Sequence, residues 1–143
     1  MNSVPFDELK VGDAALSRKT VSESDVYLFA GVTGDFNPLH VDEQFAKESV
    51  FGARIAHGPL TLGLCAGLLG TELPGLGTIA ISNRVEYSAP VYLGDTITVR
   101  VEVASLDPET RRAAMAVTWT NQDGTLVASG EMIVKPPRER VTL

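Results

Sequence analysis

Residues 59–73 read PLTLGLCAGLLGTEL, and the fold turns on them. Pro59 stands where a helix can begin, because its missing N–H is not needed in a first turn. The residues after it are apolar nearly all round, the pattern of a helix enclosed by other structure. Its glycines and alanines predict a close approach of sheet backbone. The run is too short and too glycine-rich to span a membrane. Cys65 lies inside it, and the chain has no second cysteine, so no internal disulfide can form. Cys65 reads as a buried small hydrophobe in preference to a reactive thiol.

Beyond this helix the period changes from helical to two. TIAISNRVEYSA (78–89), TITVRVEVASL (96–106), RRAAMAVTWTN (111–121) and TLVASGEMIVK (125–135) alternate as strands do. Pro90, Gly94-Asp95, Asp107-Pro108 and Asp123-Gly124 separate them, and Asp123-Gly124 suits a hairpin. The last three strands therefore predict an antiparallel meander. Before the helix, ALSRKTVS from Ala15 reads as a first strand. Ser22 with Asp25 three residues on resembles a capping box and opens a second helix. Val26, Phe29 and Ala30 share one face of it, and Gly31 and Gly34 end it. Gly34 to Pro38 cannot be regular helix, because Pro38 holds Asn37 extended. Helix resumes over Val41–Ser49 with Asp42 as cap, and Phe51–Gly58 is irregular. Helices followed by a run of strands give α+β: one buried helix facing a long antiparallel sheet.

A chain of 143 residues suits one domain, 1–143, with a core that needs no disulfide or metal. The formal net charge of −6 argues against broad nucleic-acid or anionic-membrane binding, which needs a basic face. The N-terminal MNSVPFDELK mixes charges and has no apolar core, so it does not read as a signal peptide, and a cytoplasmic protein is expected. His40, His57 and Cys65 lack a metal-ligand spacing.

The chemistry lies in YLFAGVTGDFNPLHVD, 27–42. Asp35, Asn37 and His40 fall within six residues, on a loop broken by Gly34 and Pro38. An acid, an amide and an imidazole held together can position a water and move its protons. The same residues could form only a turn, with Asp35 and Asn37 bonded to nearby backbone and His40 a core histidine. In AHGPLTLGL (56–64), Gly58 offers a free N–H at the positive end of a helix, suited to an oxygen that gains charge. The other reading of Gly58 is a tight turn that admits close packing. His57 beside it reads as a structural hydrogen-bonding group.

These segments resemble the MaoC-like dehydratase family, the (R)-specific enoyl-CoA hydratases. Gly34-Asp35-Phe36-Asn37-Pro38-Leu39-His40 is similar to that family's signature loop. His57-Gly58 before an apolar helix and Ser88-Ala89-Pro90-Val91-Tyr92-Leu93-Gly94-Asp95 match as well. The resemblance covers roughly residues 8–135. It implies a hotdog fold, a long antiparallel sheet wrapped around the helix that starts at Pro59. It also implies a homodimer, with the substrate tunnel at or near the subunit interface. The implied activity is reversible hydration of a trans-2-enoyl-CoA to an (R)-3-hydroxyacyl-CoA without metal or redox cofactor. Asp35 would be principal base, His40 would share the proton transfer, Asn37 would orient the loop or water, and the Gly58 N–H would hold the thioester oxygen. One departure is that Gly63-Leu64-Cys65-Ala66-Gly67 carries no hydroxyl where some relatives have serines; Thr61 is the nearest substitute. Arg54, Arg84 and Lys47 are candidate partners for coenzyme A phosphates, each weighed against an ordinary solvated charge. Tyr87, Tyr92 and Trp119 read as packing residues. Competing functions are a hotdog acyl-CoA thioesterase, a 3-hydroxyacyl-[acyl carrier protein] dehydratase and a non-catalytic acyl-thioester binding module.

Overall fold

The period-two segments form five strands, and their order in the sheet follows from two short turns and two crossovers. The computed structural model describes all 143 residues, Met1–Leu143. Strands β1 (Ala14–Thr20), β2 (Ile79–Tyr87), β3 (Thr96–Asp107), β4 (Arg112–Thr120) and β5 (Leu126–Lys135) make one sheet in the order β1-β3-β4-β5-β2. Every pairing is antiparallel. The meander expected of the last three strands is present as β3-β4-β5.

Alternation decides which face is covered. On β3, Ile97, Val99, Val101 and Val103 point inward and are fully buried; on β4, Ala113, Met115, Val117 and Trp119 do the same. Helix α4 (Gly58–Thr71) lies across this face and buries Leu60, Thr61, Cys65, Leu68 and Leu69. Its glycines correct the sequence expectation. A β-carbon at Gly63, Gly67 or Gly70 would meet nothing within 4 Å, so no sheet backbone packs against them; Gly63, Ala66 and Gly70 line an open cleft opposite Ala80 and Asn83 of β2 and Met132 and Val134 of β5. The sheet approaches a glycine closely at Gly130 on β5, where a β-carbon would collide with the Arg84 carbonyl oxygen of β2. Strand β2 has a free outer edge and exposes Ile79, Ile81 and Tyr87.

Helix α1 (Glu23–Thr33) begins with the expected capping box. The Ser22 hydroxyl accepts from the Asp25 amide, and the Asp25 carboxylate accepts from the Ser22 amide at 2.8 Å. Gly31 stays inside the helix, and Gly34 alone ends it, in the left-handed region at φ 77°. Val26 and Ala30 are buried, Phe29 packs on the core, and Leu28 and Val32 remain exposed. The helix expected over Val41–Ser49 is α3 (Glu43–Glu48), and a separate short helix, α2 (Pro38–Val41), precedes it. Asp42 separates them because its carboxylate accepts from the Gln44 and Phe45 amides, which caps α3 from an extended backbone. No helix is long and apolar enough to cross a membrane.

Two substitutions test this account by urea unfolding. Ser22→Ala removes the cap and lowers stability by about 1 kcal/mol. Gly130→Ala forces β2 away from β5 and costs about 1–3 kcal/mol; an unchanged midpoint would mean that the close approach is not required.

Candidate active site

Three backbone features bring the polar loop to the start of α4. Gly34 stops α1, so the chain turns out of the helix at Asp35. Asn37 then caps α2: its side-chain oxygen accepts from the Leu39 amide at 3.0 Å, and Pro38 fills the first turn, where no N–H is needed. His40, two residues into α2, is thereby turned inward and buried.

The geometry assigns the imidazole protons. His40 Nδ1 lies 2.7 Å from the Ile55 carbonyl oxygen. A carbonyl only accepts, so Nδ1 carries the hydrogen, and the neutral ring leaves Nε2 as a free acceptor. His57 is the residue before α4, 1% exposed, with Nε2 2.9 Å from the main-chain oxygen of Asp35. By the same argument its Nε2 carries the hydrogen. The Asp35 main chain is held in this way while its side chain stays at the exposed edge of the site. One Asp35 carboxylate oxygen takes a 3.2 Å hydrogen bond from the Asn37 amide.

Asp35, His40 and His57 bring side-chain ligand atoms within 4.8 Å of one another. Sequence spacing did not reveal this cluster, because His57 reaches the loop only through the fold. The donor set is one that could hold a metal ion. However, each imidazole has a nitrogen committed to a carbonyl, and the two rings are in contact at a 32° tilt with centroids 3.8 Å apart. Two hydrogen-bonding groups less than 5 Å apart can instead share a single water.

Gly58 starts α4, and none of the backbone hydrogen bonds uses its N–H. It faces a cavity of about 350 Å³ whose wall includes Ile55, Thr61, Tyr87, Ala89 and Val91. The Tyr87 ring lies against Gly58 so closely that a β-carbon there would sit 3.1 Å from Cζ. Tyr87 is therefore more than a packing residue: it walls the cavity beside the free N–H, and burial pushes its phenol above the ordinary value. Thr61, one turn on, puts the only hydroxyl of α4's buried face on the same wall.

The family model described as MaoC like domain matches residues 11–124. The chain belongs to this MaoC-like family. It is 48% identical over 134 residues to a 3-hydroxybutyryl-CoA dehydratase of Methylorubrum extorquens, covering 94% of this chain and 85% of that one. It is 45% identical over 132 residues to an (R)-specific enoyl-CoA hydratase of Rhodospirillum rubrum, covering 92% and 91%. Among solved structures, R-hydratase PhaJ1 from Pseudomonas aeruginosa superposes with a TM-score of 0.94 at 38% identity, covering 99% and 91%. The sheet and its helix have the hotdog architecture of these MaoC-like structures.

Other sequence candidates in this MaoC-like chain have structural partners. Arg54 bridges Glu23 on α1 and Glu43 on α3 at 2.5 and 3.1 Å. The hydrogen bond with Glu23, and then that with Glu43, raises its guanidinium above an already high value against the opposing effect of burial. It ties the two helices together. Lys47 pairs with Glu43, while Arg84 lies across the strands from Glu131. Asp95 of the Gly-Asp turn is buried and accepts from the Tyr92 amide and the Gln122 side chain, both at 2.8 Å, so it holds a turn. The Tyr92 hydroxyl donates to the Phe51 carbonyl, and Trp119 is fully buried.

Burial pushes the Cys65 thiol up to about 11. At pH 8 about one thiol in a thousand is then ionised, so native protein resists a disulfide reagent. Urea-unfolded protein releases one equivalent at once. Rapid labelling of the native chain would contradict the buried placement.

Proposed function

We propose that this chain is a hydro-lyase that reversibly hydrates trans-2-enoyl-CoA to (R)-3-hydroxyacyl-CoA. The observation that carries it is the juxtaposition of the Asp35 carboxylate and the His40 imidazole, close enough to share one water, beside a helix whose first N–H is free. The (R)-specific enoyl-CoA hydratases among the relatives support the same reading. The acyl carrier protein dehydratases among them are less similar, at 29% and 33% identity.

The donors and acceptors set the order of steps. Water is held between Asp35 and His40, with Asp35 the principal base. As its oxygen bonds to C3, one water proton passes to the pair and a proton is delivered to C2, so the elements of water are added across the double bond. The electron pair displaced toward the thioester oxygen is stabilised by the Gly58 N–H at the positive end of α4. Asn37 acts by capping α2, which keeps His40 in place. The groups supply acid, base and oxyanion donor themselves, so the reaction uses no metal or redox cofactor; dialysis against EDTA leaves the rate unchanged. Loss of enoyl absorbance on crotonyl-CoA measures the activity. Asp35→Asn and His40→Ala each lower kcat on the order of a hundredfold or more, and wild-type rates in both variants would sink the assignment. A free-thiol assay separates a thioesterase, because hydration releases no coenzyme A.

The reading extends to one domain that acts as a homodimer in the cytoplasm. The free edge of β2, its exposed Ile79 and Ile81, and the exposed Gly63, Ala66, Gly67 and Gly70 of α4 support edge-to-edge pairing. Light scattering after gel filtration gives twice the 15.2 kDa chain mass. A stable, active monomer would refute it.

A further inference from the structure

His57 contacts more of the site than its place in the sequence suggests. Its Nε2 donates to the Asp35 main-chain oxygen, its ring lies against the His40 ring at a tilt of 32°, and it directly precedes Gly58. It also meets the Phe29 ring at 4.9 Å, so it is fixed by the α1 core as well. Yet its Nδ1 is buried and has no hydrogen-bond partner. A buried acceptor left unpaired is costly, and a leucine or phenylalanine could fill such a volume without that cost. The orphan nitrogen is thus hard to explain by packing alone, whereas the Nε2 hydrogen bond and the ring face each bear on a reacting group.

We propose that His57 is the positioning residue of the site, setting the Asp35 carboxylate through its main chain and the His40 ring through its face. This rests on Asp35 and His40 being the water-handling pair. The neutral ring, hydrogen on Nε2, is the form that does both. A hydrogen on Nδ1 alone would abandon the Asp35 oxygen, and one on both nitrogens would set a cation against the ring that must itself accept a proton.

Kinetics of three variants on crotonyl-CoA, with Asp35→Asn and His40→Ala alongside, test the proposal. His57→Leu fills the space without a donor and lowers kcat on the order of tenfold to a hundredfold, with KM within about twofold, because the misplaced groups act in the transition state. His57→Gln restores part of kcat, since its amide nitrogen falls near the place of Nε2. His57→Asn, whose nitrogen falls near Nδ1, does not. Wild-type kcat in His57→Leu, a loss confined to KM, or no advantage of glutamine over leucine would each overturn the proposal. If Asp35→Asn and His40→Ala are slow while His57→Leu is fast, only the positioning role fails; if those two are fast, the hydratase reading fails first. Nitrogen-15 spectra of the wild-type imidazoles need no variant to fold. They show His57 protonated on Nε2 and His40 on Nδ1 at neutral pH, and the opposite tautomer of His57 would end the proposal.

Discussion

Everything at the site depends on how α4 is pressed onto the sheet. Leu60, Cys65, Leu68 and Leu69 occupy one side of the helix and meet the inward rows of β3 and β4. Burying those side chains contributes roughly 1.5–3 kcal/mol for each large one, so the helix cannot roll or slide without exposing them. Its N-terminus is therefore fixed, and with it His57, Gly58 and the cavity wall. Asp35 and His40 reach the same place from the other direction, on a loop that Gly34, Asn37 and Pro38 hold in one path.

Much of this architecture could be read from the sequence, because local chemistry and tertiary structure agree. Alternation located four of the strands, Ser22 and Asp25 located a helix start, and Gly34 located its end. The failures are positions where local preference left two outcomes and packing chose. Gly31 costs a helix about 1 kcal/mol relative to alanine, which is too little to end one whose flanking Val26 and Ala30 are buried. Asp42 was legible as a cap, but not the extra short helix that Asn37 and Pro38 start before it. The glycines of α4 signalled close approach, and the sequence could not say from which side. Nothing packs within 4 Å of Gly63, Gly67 or Gly70, and the close approach in α4 is that of the Tyr87 ring to Gly58.

The loop residues were legible because proline and glycine confine them within a few positions. His57 was undervalued for the opposite reason. Its partners lie 17 and 22 residues away in the chain (His40 and Asp35), and no local pattern records a ring stack or a bond to a distant carbonyl. The Gly94-Asp95 pair shows the converse. It is conspicuous in the sequence, yet its carboxylate is occupied by the Tyr92 and Gln122 donors, so its contribution is the turn that starts β3.

A shared arrangement sets the site apart from such structural polar groups. Asp35 uses its main-chain oxygen for His57, and its carboxylate is left at the exposed edge. His40 commits Nδ1 to Ile55, which leaves Nε2 open. Gly58 is locked into α4 through its neighbours, while its own N–H has no acceptor. Asp35 and His40 each use one polar atom to fix the group and keep another open to the site, and Gly58 keeps its N–H open in the same way. Open polar atoms gathered at one place keep their hydrogen-bonding capacity for a water or a substrate. Here they comprise an acceptor of protons, a second acceptor that can share the same water, and a donor for developing negative charge. That complement matches addition of water to an unsaturated thioester: a base where the oxygen attacks, and an N–H where the electron pair arrives.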